Sequence, residues 1–450
     1  MGTSKIIPGD SLSAATGFPS RNGSKNKLLP QDQPVHEWYR FVLSFPPHLV
    51  ENYIGKFGLR PRQTLLDPFC GTGTTLVTGK MRGLKSIGVE ANPMAHFASE
   101  VKVDWNIDPE KLIQHAYAVA DSARQQLDLE DLVDDPFFCV NSVKGKPLRA
   151  LEPAKAKLLL RDSISPLPLH KALILIETLR QNQSKIFHRH ELLALAKALV
   201  FSISNLRFGP EVGIGKPKTD TPVIAAWLSE IDSMARDLLK LRGLTAVPAT
   251  VHLADARSMS RLLSPRSVDA VITSPPYPNE KDYTRTTRLE SVLLGFINSP
   301  DELRAFKRQL VRSNTRTVYK GDDDDQWVRP HPEIERLAET IEKKRIALGK
   351  TSGFERLYPR VTRLYFGGMA RHLFELQCAL KPGAQLAYVV GDQASYLRVM
   401  IRTGQLLAEI AESLGYEVVG IDLFRTRLAT ATKEQLREEV VVLRWPGTKK

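Results

Sequence analysis

The tetrapeptide Ser-Pro-Pro-Tyr at residues 274–277 directly follows VDAVI, a short apolar run that is typical of a buried strand. Two prolines fix two φ angles and remove two backbone N–H donors. The residue before each proline is also pushed toward extended geometry, so the segment is stiff. It still offers carbonyls at Pro275 and Pro276, the Ser274 hydroxyl and the aromatic ring of Tyr277. Such a set of groups would bind a planar molecule that carries an N–H donor.

A second segment, LLDPFCGTGTT, indicates a ligand turn between a buried strand and a helix. Gly71 and Gly73 allow the backbone to turn sharply and to approach a ligand closely. The helix that starts near Thr74 presents free N–H groups at its first turn. Glu90 ends the next strand, where a carboxylate can accept hydrogen bonds from a ribose diol. Together these residues predict a site for a cofactor that contains a nucleoside.

The type of cofactor follows from the residues of this turn. A P-loop is excluded because Gly79-Lys80 is followed by Met81 instead of Ser or Thr. A dinucleotide fingerprint would be imperfect because Leu76 stands at its third glycine, and Asp67 would repel a pyrophosphate. The same carboxylate suits an ammonium or a sulfonium, and S-adenosyl-L-methionine carries both together with a ribose. The alternative is an ordinary tight turn between a strand and a helix.

The elements around these motifs predict the fold. Strand, glycine turn, helix, strand and helix follow one another between residues 64 and 102, which is the beginning of a doubly wound α/β sheet. Further strands are expected at residues 250–257, 268–274 and 384–392. YEVVGIDLF and EEVVVLRW near the C terminus are expected to form an antiparallel hairpin.

The chain divides into six predicted segments. Three of them form one catalytic domain, in which the first segment contains the glycine turn and the second contains the Ser-Pro-Pro-Tyr loop. Two others are insertions. The first insertion is predicted to be helical, and the second is basic and charged. The catalytic segments are residues 31–106, 249–299 and 361–450, the insertions are 107–248 and 300–360, and residues 1–30 form a disordered basic tail. The four aspartates at 322–325 are expected to form a solvated loop without a metal ion.

Charge and cysteine content limit the class of protein. The formal net charge of +13 favours a polyanionic partner, because Lys and Arg neutralise phosphates. Cys70, Cys139 and Cys378 are widely spaced, which fits a reducing cytoplasm and no disulfide framework. We expect no secretory signal and no membrane span, since the sequence has no apolar segment of the required kind.

The combination of DPFCGTGTT and TSPPY resembles the amino-group DNA methyltransferases, which methylate the exocyclic nitrogen of cytosine or adenine. The resemblance covers residues 36–105, 249–299 and 361–445. It implies a Rossmann-like doubly wound methyltransferase sheet with a large helical insertion, S-adenosyl-L-methionine as cofactor and double-stranded DNA as partner. The residues that it implies for cofactor binding are Phe45, Pro46, Asp67, Phe69, Gly71, Gly73, Thr74, Glu90 and Asp255.

In this family the Pro-Pro-Tyr loop holds the target base, which implies a chemistry for residues 274–277. The amino group of a base is a poor nucleophile because its lone pair is delocalised into the ring. Acceptors such as the Ser274 hydroxyl and the Pro275 carbonyl would direct that lone pair toward the methyl group, and the prolines would keep the carbonyl fixed. Tyr277 would stack on the flipped-out base. The sequence contains no Pro-Cys dipeptide, so transfer is expected to be direct.

The sequence is compatible with more than one target base and with more than one DNA-binding region. In the family that the sequence resembles, Ser at the first position of the tetrapeptide is associated with N4 of cytosine and Asp or Asn with N6 of adenine, so the resemblance favours cytosine. Two further hypotheses are a methyltransferase for guanine N2 in RNA and a DNA-binding protein without catalysis. A restriction endonuclease is expected as a partner if the protein belongs to a restriction-modification system. Candidate DNA contacts are Arg207, Lys216 and Lys218 in one loop, and Arg312 and Arg316 in the second insertion.

Overall fold

A computed structural model describes residues 28–41, 44–135, 145, 147–208, 212–244, 246–428 and 434–447. The strands are β1 (Thr64–Asp67), β2 (Lys85–Glu90), β3 (Leu206–Phe208), β4 (Val212–Ile214), β5 (Ala249–Leu253), β6 (Val268–Thr273), β7 (Leu380–Gly391), β8 (Glu417–Leu428) and β9 (Gln435–Arg444). The helices are α1 (Pro47–Lys56), α2 (Thr74–Met81), α3 (Pro93–Lys102), α4 (Pro109–Leu129), α5 (Pro153–Ala156), α6 (Pro166–Gln181), α7 (His188–Ala198), α8 (Val223–Lys240), α9 (Arg288–Leu293), α10 (Pro300–Arg308), α11 (Pro332–Ala347), α12 (Gly353–Leu376) and α13 (Thr403–Ser413).

Seven strands form one sheet in the order β5-β2-β1-β6-β7-β9-β8. The first five are parallel, whereas β9 runs antiparallel to both β7 and β8. The chain moves from β1 to β2 on one side and later adds β6 on the other side of β1. The carboxyl ends of β1 and β6 therefore meet at the point where the strand order reverses, which is where ligands bind in open α/β sheets. The predicted doubly wound sheet and its C-terminal hairpin are confirmed.

Helices cover both faces of this sheet because successive strand residues point in opposite directions. Leu65, Ala270 and Ile272 pack in one buried cluster with α1. Leu66 and Val271, their neighbours in sequence, belong to a second buried cluster with α11, α12 and α13. These strands are apolar on both sides, as expected for strands buried between two helical layers.

The region between residues 107 and 248 is largely helical, as its apolar spacing predicts. Helices α4, α6, α7 and α8 share a buried cluster with α2 and α3, and Trp227 of α8 is fully buried within it. These helices each have an apolar side that packs inward, which is the usual source of helix stability in proteins. The loop expected after residue 206 contains a short antiparallel hairpin, formed by β3 and β4.

The prediction that the four aspartates form a solvated loop was wrong for Asp324, whereas Asp323 is exposed as expected. Asp324 is only 2% exposed and forms ion pairs with Arg257 and with Arg371, the latter at 3.3 Å. Asp322 binds Arg312 at 2.8 Å. The helix α12 passes so close that a Cβ atom at Gly367 would lie 1.9 Å from the carbonyl oxygen of Asp324. A long-range contact of this kind cannot be read from a run of like charges.

Some sequence predictions lie outside the described residues, namely those for residues 1–27 of the basic tail and for Cys139. No helix among the described residues is long and apolar enough to cross a membrane.

Candidate active site

The glycine turn connects β1 to α2 and adopts a conformation that requires glycine. Gly71 and Gly73 have φ angles of +52° and +84°, in the left-handed region that favours glycine. A Cβ atom at Gly73 would also lie 3.1 Å from the hydroxyl of Ser99 on α3. Ser99 Oγ donates a hydrogen bond of 2.7 Å to the Gly71 carbonyl, which fixes the turn against this helix.

Glu90 at the end of β2 is tied to the same turn. Its carboxylate accepts hydrogen bonds from the backbone N–H of Gly71 at 2.8 Å and of Asn92 at 2.7 Å. Burial raises the pKa of Glu90 to about 7, although both N–H donors oppose the shift. Each carboxylate oxygen retains acceptor capacity, so Glu90 can accept further hydrogen bonds from a diol.

Asp67 at the end of β1 is fully buried and lies behind the turn. Its Oδ1 accepts hydrogen bonds from Thr273 Oγ1 at 2.6 Å and from the backbone N–H of Phe69 at 3.1 Å. Its Oδ2 is buried without a hydrogen-bond partner in the described structure. Burial raises the pKa of Asp67 to about 6. A cationic group nearby would stabilise the ionised form.

The Ser-Pro-Pro-Tyr loop leaves β6 beside this turn. The Ser274 hydroxyl donates to the carbonyl of Val389 on β7 at 3.1 Å. The hydroxyl proton is therefore used in this hydrogen bond, and the lone pairs of the oxygen are available to accept hydrogen bonds. The ring of Tyr277 packs against the backbone of Gly391, where a Cβ atom would lie 3.0 Å from Cε2 of the tyrosine. Burial raises the pKa of the Tyr277 hydroxyl above its usual value, so it stays protonated.

One cavity of about 380 Å³ contains both motifs. Predicted site residues in its wall are Phe45, Phe69, Gly71, Thr74, Glu90, Asp255, Ser274, Pro275, Pro276 and Tyr277. Three predicted cofactor residues do not line it. Asp67 is fully buried at the end of β1, Gly73 directly precedes α2, and Pro46 is the residue before α1.

Asp255 lines the cavity, but its carboxylate is already held by Arg257. The guanidinium Nε and Nη2 donate to Asp255 at 3.0 Å and 2.7 Å, and the backbone N–H of Arg257 adds a bond of 2.8 Å. Arg257 also pairs with the buried Asp324. The second insertion is thereby connected to the cavity wall at Asp255.

Part of the segment of residues 35–41 lines the cavity, and the sequence analysis assigned no role to it. Tyr39, Arg40 and Phe41 line the cavity. The Tyr39 hydroxyl binds Glu290 of α9, and Trp38 Nε1 donates to Asp237 of α8 at 3.0 Å. These contacts with two separate helices hold the segment in place. They could not be predicted from residue spacing, because the contacting residues are far apart in the sequence.

The side chain of Lys102 connects this segment to the glycine turn through hydrogen bonds. It is fully buried, and its Nζ donates to the carbonyls of Thr72 at 2.8 Å, Tyr39 at 3.1 Å and His36 at 3.3 Å. Burial lowers the pKa of Lys102 to about 7. Three donors meet three carbonyls, so the ammonium form satisfies all of them.

The predicted DNA contacts are distributed differently from the expectation. Only Arg316 lines the cavity, where it is exposed. Arg207 and Lys216 are exposed near the β3–β4 hairpin, whereas Lys218 donates to the carbonyl of Ser202. Arg312 is only 3% exposed and its guanidinium is bound to Asp322 and to backbone carbonyls. The side chain of Arg312 therefore stabilises the second insertion, and we do not propose it as a DNA contact.

Similarity to known proteins agrees with this geometry. Residues 18–100 match the N6_N4_Mtase family, described as DNA methylase. The Type II methyltransferase M.BsoBI of Geobacillus stearothermophilus is 26% identical over 457 residues, which cover 92% of this chain and 85% of that protein. Both findings support the predicted resemblance to the amino-group DNA methyltransferases.

A second Type II methyltransferase aligns over a similar extent. The Type II methyltransferase M.AvaI of Anabaena variabilis is 24% identical over 453 residues, covering 92% of this chain and 87% of that protein. Among solved structures, TrmN from Thermus thermophilus matches with a TM-score of 0.28 and 10% identity, over 89% of this chain and 48% of the TrmN chain. The fold described above follows from the strand order of this chain itself.

Among the described residues, no group of three or more His, Cys, Asp or Glu side chains is placed to hold a metal ion.

Proposed function

We propose that this protein transfers a methyl group from S-adenosyl-L-methionine to the exocyclic N4 of a flipped-out cytosine in double-stranded DNA. The observation that carries the proposal is that the glycine turn and the Ser-Pro-Pro-Tyr loop line the same cavity. A methyl donor in the turn and a base on the loop would then lie in one space, which is the arrangement that direct transfer needs. Because both relatives reported above are Type II methyltransferases, we assign the activity to a restriction-modification system.

The residues on the cofactor side fit S-adenosyl-L-methionine. The cofactor would supply an electrophilic methyl group on a sulfonium. Glu90 would accept hydrogen bonds from the ribose, and Phe45, Phe69 and Thr74 would enclose the rest. Asp67, buried behind the wall with an unpartnered Oδ2, would stabilise positive charge without direct contact. The buried carboxylates of Asp67 and Glu90 favour a cationic ligand over a pyrophosphate.

On the base side, Ser274 and Pro275 act on the amino group. The Ser274 hydroxyl donates to Val389, so its oxygen would accept an N–H of the base. A second N–H would bind the Pro275 carbonyl, and the nitrogen lone pair would then point at the methyl group. Preorganised acceptors of this kind stabilise positive charge that develops on nitrogen during transfer. Tyr277 would stack against the ring.

Direct transfer also agrees with the state of Cys70. This thiol is buried beside Ser99, and burial raises its pKa well above the usual value. A nucleophilic cysteine needs a lowered pKa and access to its substrate. Cys70 does not meet the first condition, so a covalent intermediate on it is not part of the proposal.

Positive charge at the cavity would attract the DNA backbone. Cationic side chains along the wall are Arg40, Lys281, Arg285, Arg316, Arg425 and Arg427. Lys and Arg that neutralise phosphates release counterions and supply most of the nonspecific affinity. We therefore propose Arg316, with the exposed Arg207 and Lys216, as DNA contacts.

Both insertions reach the cavity, which supports a role in target recognition. The region 107–248 contributes Val200, Phe201, Phe208 and Val212, and the region 300–360 contributes Phe306 and Asn314 among others. We propose that the two insertions together read the DNA sequence, around a catalytic domain formed by the remaining segments.

The test is to incubate the protein with S-adenosyl-L-methionine and unmethylated DNA, digest the DNA to nucleosides and identify the product by mass spectrometry. The expected product is N4-methylcytosine. N6-methyladenine would overturn the choice of base but keep the catalytic arrangement. The absence of any methylated nucleoside, with cofactor binding shown by calorimetry, would overturn DNA as the substrate.

A further inference from the structure

Three residues on adjacent strands form a row beside Tyr277. In the register of the sheet, Gly391 of β7 pairs with Glu438 of β9, and Glu438 pairs with Arg425 of β8. A Cβ atom at Gly391 would lie 3.0 Å from the Tyr277 ring and 3.3 Å from Cγ of Glu438. The glycine thus leaves room for the ring on one side and for the carboxylate side chain on the other.

Arg425 and Glu438 form a side-on ion pair in the cavity wall. Nε and Nη2 of the guanidinium both donate to the carboxylate, the latter at 2.9 Å. The two side chains are only 19% and 12% exposed. A guanidinium has five N–H donors, so the two that bind Glu438 leave others for a ligand. Since partly buried ion pairs contribute little net stability, stability alone does not explain a pair at this position.

The backbone of β8 is irregular at this point. The pairing of β8 with β9 shifts register between Leu423 and Arg425. Phe424 is the extra residue, and both Phe424 and Arg425 line the cavity although neighbours in a regular strand face opposite sides. Such bulges are common next to active sites, where they change the direction of a side chain. Here the bulge adds a guanidinium to the wall that contains Tyr277.

We propose that Arg425, oriented by Glu438, reads the Watson–Crick edge of the target base and makes cytosine the preferred base. This inference rests on the proposed function. With the amino group at Ser274 and the ring on Tyr277, cytosine has two further acceptors on the same edge, N3 and O2. Adenine has N1 followed by a C–H group. Two donors of a guanidinium can therefore pair with cytosine, and only one can pair with adenine.

The experiment compares wild type with Arg425→Met and Arg425→Lys at saturating S-adenosyl-L-methionine. Unmethylated plasmid DNA is the substrate, and N4-methylcytosine and N6-methyladenine are both quantified by mass spectrometry. We expect both variants to lose about 10- to 100-fold in the rate of cytosine methylation, in keeping with one bidentate contact. The ratio of methyladenine to methylcytosine should rise, and cofactor affinity by calorimetry should be unchanged. A merely structural role would not change this ratio.

Arg425→Lys keeps a positive charge beside Glu438, so it separates the loss of the guanidinium from the loss of charge. The double variant Arg425→Met/Glu438→Leu removes both partners, so no unpaired charge is left in the cavity wall. Arg444→Met is the matched control, because Arg444 pairs with Glu417 at 3.6 Å at the other end of the hairpin and is 54% exposed. It should behave like wild type. Variants of Arg425 that bind cofactor and keep both the rate and the ratio of wild type would overturn the inference. A wild-type protein that makes methyladenine alone would instead overturn the proposed base.

Discussion

The hydroxyl of Thr273 donates to Oδ1 of Asp67 across 2.6 Å, and this bond joins the last residue of β6 to the last residue of β1. The two residues are 206 positions apart in the sequence. Each is the first residue of one of the two motifs, since Thr273 begins TSPPY and Asp67 begins DPFCGTGTT. A change at either residue should therefore affect both halves of the site.

Replacing Asp67 with Ala should weaken cofactor binding and also lower turnover at saturating cofactor. The reason is that Thr273 loses its acceptor, and the buried site loses its negative charge. Calorimetry with S-adenosyl-L-methionine and initial rates of methylation measure the two effects. Thr273→Val is the matched variant, because it removes the hydrogen bond but keeps the carboxylate. A turnover unchanged in both variants would separate Asp67 from the base side of the site.

Ser274→Ala should lower turnover by about 100-fold, the usual effect of removing one preorganised polar group, with little change in cofactor affinity. The hydroxyl bonds the carbonyl of Val389 and is not tied to the cofactor turn. Ser267→Ala is the control, since Ser267 precedes β6 at the opposite end and its hydroxyl bonds Ser264. Normal turnover of Ser274→Ala would remove this hydroxyl from the mechanism.

The pH dependence of stability should reveal the buried Glu90. Burial raises its pKa from 4.5 to about 7 in the folded protein. Between these values the folded state holds a proton that the unfolded state has released, so stability falls as the pH rises through this window. Glu90→Gln lacks this titration. Its free energy of unfolding relative to wild type should therefore increase from about pH 4.5 to about pH 7 and stay constant above that.

Denaturant unfolding of both proteins without cofactor, at several pH values, measures this difference. Cofactor affinity should change in the opposite sense for wild type, because ionised Glu90 and Asp67 favour a cation. A difference in stability that is flat across the window would show that Glu90 is not desolvated.

Lys102→Met should weaken cofactor binding and lower the melting temperature. Three carbonyls lose their donor, including those of Thr72 in the turn and Tyr39 in the cavity wall. Lys80→Met is the control, because Lys80 is also buried but donates to the carbonyl of Val103. It should lower the melting temperature without changing cofactor affinity. Equal affinities for the two variants would contradict the role assigned to Lys102.

Gly391→Ala should reduce methylation with little effect on cofactor affinity. The added methyl group would lie 3.0 Å from the Tyr277 ring, so the ring would have to move from its place in the cavity. Gly420→Ala on β8 is the matched control, since a Cβ atom there meets nothing within 4 Å. Initial rates for both variants test the prediction, and equal rates would show that the ring tolerates displacement.

The sequence determined the features that depend on short stretches of chain. The glycine turn, the strands on either side of it and the Ser-Pro-Pro-Tyr loop were predictable because φ restrictions and apolar runs act on neighbouring residues. Glu90 followed from its place at the end of β2, and the helices of residues 107–248 followed from their apolar spacing. The family resemblance rested on the same local motifs.

The tertiary structure decided which charged groups are buried and which side chains share the cavity. Asp324 and Arg312 belong to strongly charged stretches of sequence, but both are buried in ion pairs with residues that lie elsewhere in the chain. Arg425 and Glu438 meet Tyr277 only through the register of three strands and a bulge. Local sequence carries no information on such contacts, because burial and strand register are set by the packing of the whole chain.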